Sequence, residues 1–288
     1  MIHGTLLLVA TGLCWVLIAV VISTAARRRL DLDFIQAGAA LLTAAAAGGA
    51  LLFQRSATIP LPLQLAVFGA GVGNYLMIKL MNAGMARGHN GAVWGITQSA
   101  LVFPFTMGML FFGVAPTVSR LAGLALILAA IVLFSFSKEK KTGNFGQLAP
   151  SDARRFFFAG ISQCCANLPS YLGAGDMPST RRALLVQLGV LASFGVNAGL
   201  TRSRWRARGT LLPLVTLGCV NIVSLFFLFY RGLNILAFLG CGSIGYPVAM
   251  GSCIAGFLIY SRAILREKAG FAAAAFLAVL SGILVISL

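Results

Sequence analysis

The sequence predicts an all-α integral membrane fold of ten transmembrane helices in two inverted five-helix repeats. Three observations carry this prediction. Apolar windows nearly exhaust the chain, basic residues crowd into alternate loops, and one proline motif recurs at matching places in the two halves. Of 288 residues, 59% are hydrophobic and only 10% are charged, and the mean hydropathy is +0.94, far from the usual composition of soluble domains.

A span needs roughly 20 mostly apolar residues. Charged or Pro/Gly-rich breaks give windows at about 4–25, 34–53, 62–83, 91–113, 119–136, 156–175, 183–201, 210–230, 236–259 and 269–288. Span one ends on Arg27, Arg28 and Arg29. Its Ser23-Thr24-Ala25 imitates a signal-peptidase site, but the basic residues follow the apolar run instead of preceding it, so it reads as an uncleaved span. Span three holds Asn74, Tyr75 and, about four residues from its inner end, Lys79. Spans five and ten carry almost no polarity and are expected to face lipid or a partner subunit. The chain divides into a first repeat at 1–137, a cytoplasmic linker at 138–155 and a second repeat at 156–288.

The net charge of +16 comes as short clusters between spans, not as one continuous basic face, which argues against nucleic acid as a partner. Sixteen Lys and Arg fall in odd-numbered loops and five in even-numbered ones, with Lys79 inside span three. By the positive-inside rule the odd loops are cytoplasmic and both termini lie outside, as expected for a multi-pass protein of a bacterial cytoplasmic membrane.

Span four contains Pro104-Phe105-Thr106-Met107-Gly108 and span nine contains Pro247-Val248-Ala249-Met250-Gly251, both Pro-x-x-Met-Gly. Upstream come Asn90 and Asn234, and further upstream Asn74 and Asn221, in the same order. Five spans per copy force the second copy to be inverted, the architecture of alternating-access carriers with a substrate site near the midplane. Pro104, Pro169 and Pro247 each remove a backbone donor within a span and kink it. Gly69 with Gly73, Gly91 with Gly95, and Gly195 with Gly199 form small-xxx-small pairs that predict close helix contacts.

Polar and aromatic side chains gather at mid-depth: Trp15 in span one, Asn74 and Lys79 in three, Trp94 and Gln98 in four, Asn167 and Tyr171 in six, Asn221 in eight and Tyr246 in nine. Any one of them is explained by an interhelical hydrogen bond of about 1 kcal/mol. Together they predict one central polar cavity, since such groups are costly in hydrocarbon. All six carboxylates lie in loops or at span edges, which disfavours a free cation as substrate and leaves neutral polyols, zwitterions or anions. Lys79 either snorkels to the interface or meets substrate, with no buried acid to pair with. The six cysteines read as packing residues, and no cofactor or metal is expected.

The motifs resemble the drug/metabolite transporter (DMT) superfamily, EamA-like. The resemblance rests on Pro-x-x-Met-Gly in spans four and nine and on Arg266 and Glu267 before the last span. Gly71-Val72-Gly73-Asn74-Tyr75, Ala83-Gly84-Met85 and Trp94-Gly95-Ile96-Thr97 resemble its rhamnose and glucose/ribose porter branch. The resemblance implies a helical carrier whose cavity is bounded by spans one to four and six to nine. It also implies sugar uptake, with coupling to protons or a counter-substrate and homodimer formation left open. The expected partners are thus a small-molecule substrate and the bilayer. An exporter of amino acids or other metabolites is the alternative. Enzyme chemistry is not expected, because neither His3 nor His89 has an acidic or cysteine partner in a matching segment.

Overall fold

A computed structural model describes residues 2–54, 58–87, 90–113, 115, 117–136, 150–172, 177–201, 208–240, 242–266 and 272–287. The secondary structure among these residues is helical throughout. The helices are α1 (Ile2–Arg28), α2 (Leu32–Leu51), α3 (Leu61–Met85), α4 (Asn90–Gln98), α5 (Val102–Phe111), α6 (Val118–Phe136), α7 (Pro150–Tyr171), α8 (Ser179–Thr201), α9 (Leu211–Asn221), α10 (Tyr230–Phe238), α11 (Gly245–Ala263) and α12 (Ala272–Ser287). Single 3-10 turns occupy Ser99–Leu101 and Gly242–Ile244, and a π-helical stretch, Ile222–Phe229, joins α9 to α10.

Six helical stretches among the described residues are long and apolar enough to cross a membrane: Ile2–Arg28, Leu32–Leu51, Leu61–Met85, Val93–Phe111, Ser179–Leu200 and Leu211–Phe238. Their lipid-compatible faces carry exposed side chains such as Leu13, Leu41, Leu65, Leu110, Val196 and Phe227. The chain is therefore a multi-pass membrane protein.

Local chemistry sets the helix ends, and several differ from the sequence windows. Asp31 caps α2 by accepting the Phe34 N–H at 3.0 Å. Window eight, expected to stop near 230, continues to Phe238, because one arginine, Arg231, on an exposed helix face does not interrupt the backbone ladder. Gly240, at φ 70°, follows the end of that helix in the left-handed conformation that glycine adopts without strain. The helix carrying Pro247 therefore begins at Gly245 and not near 236, and Asn234 belongs to α10, so it is no counterpart of Asn90 at the head of α4. Helix α7 starts at Pro150, six residues before the expected start of span six at 156. Proline suits a first helical turn, and Asp152 complements the helix dipole there. The rest of the expected linker, 138–149, lies outside the described residues.

Helices α6 and α12 pack on one another, with Gly282 against the Gly123 carbonyl, while Leu121, Leu128, Leu277 and Leu284 stay exposed. The two featureless spans are thus partners of each other on one face. Helix α3 lies against α7 and α8, α1 against α11, and α2 against α8 and α9. Closest approach between α3 and α8 occurs at Gly71 and Gly189: a Cβ on Gly71 would strike the Val186 carbonyl, and one on Gly189 the Phe68 carbonyl. Of the expected pairs, Gly69, Gly195 and Gly199 face open space, whereas Gly73 meets Ser162 of α7. Spacing alone does not say which side of a helix the small residues occupy.

Polar links reinforce the α8 seam at both ends. Thr180 donates to Gln54 at 2.7 Å and Arg181 to Gln64 at 3.3 Å, while at the other end Asn197 meets Lys79 and Asp33. Helix α7 is tied to α3 by Ser162 donating to the Ala70 carbonyl at 2.8 Å and by Arg155 donating to the Leu80 carbonyl at 3.2 Å.

A central amide-lined chamber

A cavity of about 140 Å³ lies between the helices, room for on the order of ten waters. Trp15 of α1, Gln36 of α2, Asn74 of α3, Trp94 and Gln98 of α4, Ser162 and Gln163 of α7, Gln187 of α8 and Asn221 of α9 line it. Tyr230 of α10 and Tyr246 of α11 add to the wall. Among the described residues, neither α6 nor α12 contributes to the lining. The apolar share of the wall includes Ile22, Met77, Leu217, Phe229 and Met250.

Local structure aims these groups. Asn221 is the last α-helical residue before the π stretch, a geometry that recurs at functional sites because it turns side chains out of the regular α register. The same stretch delivers Phe229 to the Trp15 indole, with ring centroids 4.8 Å apart. Trp94 packs on Phe257 at 5.5 Å, which fixes its ring at the wall. The 3-10 turn Ser99–Leu101 directly follows Gln98 and tightens the chain one turn ahead of Pro104.

Of the residues expected from sequence to bind substrate, Trp15, Asn74, Trp94, Gln98, Asn221 and Tyr246 meet at this chamber. Lys79, Asn167 and Tyr171 do not line it. Tyr171 packs on Phe112 with stacked rings 4.7 Å apart and donates to the Pro104 carbonyl at 3.3 Å, closing α7 onto α5. Asn167 is buried in α7.

Lys79 needs a fuller correction, since it has an acid to pair with. Its Nζ lies 3.2 Å from Asp33 Oδ2 and donates to Asn197 Oδ1 at 2.6 Å. Asn197 in turn donates to Asp33 at 3.1 Å, and Tyr75 donates to the other Asp33 oxygen at 3.0 Å. Asp33 sits in the first turn of α2, so a residue counted at the edge of its span reaches the lysine two turns from the end of α3.

Sequence reasoning missed Gln36, Gln187 and Arg182. Gln36 is the lone amide of span two and Gln187 one of two in span seven, beside Asn197, so the mid-span polarity that marks the other chamber residues is present there too. Arg182, counted with a loop, is fully buried one turn into α8. It donates to Ser170 at 3.0 Å, and its guanidinium lies 5.4 Å from the Tyr230 ring centre. No acidic or basic side chain is among the described residues that line the chamber itself.

Fold and site together define an all-helical, multi-pass membrane protein built around an uncharged, hydrogen-bonding chamber. No family model matches the chain, and no curated protein matches it either. A solved crystal structure overlays on 98% of this chain and 96% of its own length with a TM-score of 0.65 at 18% sequence identity, a likeness of fold alone.

Proposed function

We propose that this chain is a secondary carrier of the drug/metabolite transporter type, moving a small uncharged polar solute, foremost a monosaccharide, by alternating access. The observation that carries this reading is the chamber: six amide side chains and two indoles converge there with no ionised group among its described lining. Hydroxyls suit amides, which both donate and accept, and a sugar's C–H face suits an indole ring. A fixed charge would favour ions, and none faces the solute.

The packing supports ten spans in two inverted repeats. Matching α1 with α7, α2 with α8, α3 with the helix running from α9 to α10, α4 and α5 with α11, and α6 with α12 leaves the contact pattern unchanged. The α3–α7 contact corresponds to the one between α1 and the α9–α10 helix. Likewise α1–α11 corresponds to α7 with α4 and α5, and α3–α8 to α2–α9, while α2–α8 and α6–α12 map onto themselves. In both halves a 3-10 turn ends three residues before the motif proline, at Leu101 before Pro104 and at Ile244 before Pro247. Asn74 and Asn221 reach one chamber from corresponding helices. The charge bias supports a bacterial cytoplasmic membrane with both termini outside.

Uptake into proteoliposomes tests this reading, with labelled sugars, amino acids and organic anions offered with and without a pH gradient. Faster entry of a monosaccharide than into empty liposomes is expected. Transport of amino acids alone would redirect the substrate class, and no transport of any solute would sink the carrier reading.

A further inference from the structure

Among the chamber's amides, Gln36 stands apart. It is 3% exposed, it lines the cavity from α2, and neither its Nε2 nor its Oε1 has a hydrogen-bond partner among the described residues. Because both ends are unpartnered, exchanging the two atoms changes nothing. Gln163 of α7, also buried and facing the chamber, has an unpartnered Oε1. Buried polar atoms are nearly always hydrogen-bonded, and leaving them unmet costs stability. A glutamine kept for packing alone would do better as leucine or methionine, which fill similar space without that cost. The partners of these atoms are therefore the contents of the chamber: water when it is empty of solute, and solute groups when it is loaded.

We propose that Gln36 is a substrate-contact residue that grips an uncharged group presenting a donor beside an acceptor, such as a pair of vicinal hydroxyls, with Gln163 accepting a further donor from α7. This rests on the carrier reading. One carboxamide offers N–H and C=O side by side, so a diol satisfies both ends at once, whereas an ammonium meets only the oxygen and a carboxylate only the N–H. Gln36 thus selects against ions at close range without carrying a charge. It also lies one helical turn along α2 from Asp33, so occupancy of the chamber touches the helix that bears the Asp33–Lys79 pair.

The test uses the full-length protein in detergent, with wild type and Gln36→Leu compared by two readouts. One is the melting temperature without solute. The other is quenching of tryptophan fluorescence, with Trp15 and Trp94 in the chamber wall, on titration with L-rhamnose, D-glucose and D-ribose. Gln36→Leu is expected to melt no lower than wild type and to raise the Kd for whichever sugar wild type binds at least tenfold, about the loss of one good hydrogen bond. A melting point several degrees below wild type marks a packing residue and overturns the proposal, as does a Kd within twofold of wild type. If wild type responds to none of the three sugars, that failure belongs to the sugar reading. The melting temperature of Gln36→Leu still decides the inference, an unchanged or higher value upholding it and a lower one overturning it.

Discussion

Lys79 Nζ lies 3.2 Å from Asp33 Oδ2, joining α3 to the first turn of α2, and Asn197 of α8 completes the cluster. The lysine side chain is 41% exposed and the carboxylate 27%, so solvent screens the pair and its own worth is about 1 kcal/mol or less. Asp33 also accepts from Tyr75, whose ring is almost wholly buried. Asp33→Ala removes the acceptor that Tyr75, Asn197 and Lys79 share, leaving Lys79 only its bond to Asn197 and the buried Tyr75 without its acceptor, and should cost on the order of 1–3 kcal/mol. Lys79→Met leaves Asp33 its bonds to Asn197 and Tyr75 and should cost less. Thermal melts of the purified variants decide it, and the reverse order would contradict the cluster.

Gly71→Ala is expected to lower folded yield and melting temperature, and Gly69→Ala is not. A methyl at position 71 meets the Val186 carbonyl where α3 and α8 cross, and forcing the helices apart costs typically 1–3 kcal/mol. Position 69 faces open space, so alanine there improves helix propensity by up to about 1 kcal/mol. Equal behaviour of the two variants would mean that this crossing is looser than the structure has it.

The two glycines also mark what the sequence could tell. Long apolar runs follow directly from the solvent, since lipid demands helices, so a helical multi-pass fold was legible, while several helix ends were not. Which face of a helix meets a neighbour depends on the other helices. Gly69 and Gly73 looked like the contact pair, and Gly71, between them, makes the tightest approach. The same gap hid Asp33, whose sequence neighbours suggest a loop although its spatial neighbour is Lys79, 46 residues away. Chamber residues such as Asn74 and Trp94 were legible because mid-span polarity is conspicuous. Tyr171 was equally conspicuous but turns to α5 instead.

Arg182→Lys should cost several degrees of melting temperature although it keeps the charge. The guanidinium is fully buried, donates to Ser170 and lies against the Tyr230 ring, and an ammonium lacks both the planar face and the fork of donors. A lysine is also harder to strip of water at that depth. Differential scanning fluorimetry reports the shift, and an unchanged midpoint would show that charge alone is what the site needs.

Asn74 and Asn221 allow the sharpest test of the chamber, because they reach it from different helices, α3 and α9, and neither is fully buried. Each amide that contacts a neutral solute contributes about 0.5–1.5 kcal/mol, so Asn74→Ala and Asn221→Ala should each reduce kcat/KM for uptake by roughly 2- to 10-fold. Both should express near wild-type level. The double variant should show about the product of the two effects if the residues bind independently. Tyr171→Phe is the control: it removes one hydrogen bond to the Pro104 carbonyl, keeps the ring stacked on Phe112 and changes a residue that does not line the chamber. Its uptake should stay within twofold of wild type. If Tyr171→Phe impairs transport as much as Asn74→Ala does, the solute path runs along α5 and α7 and not through the chamber.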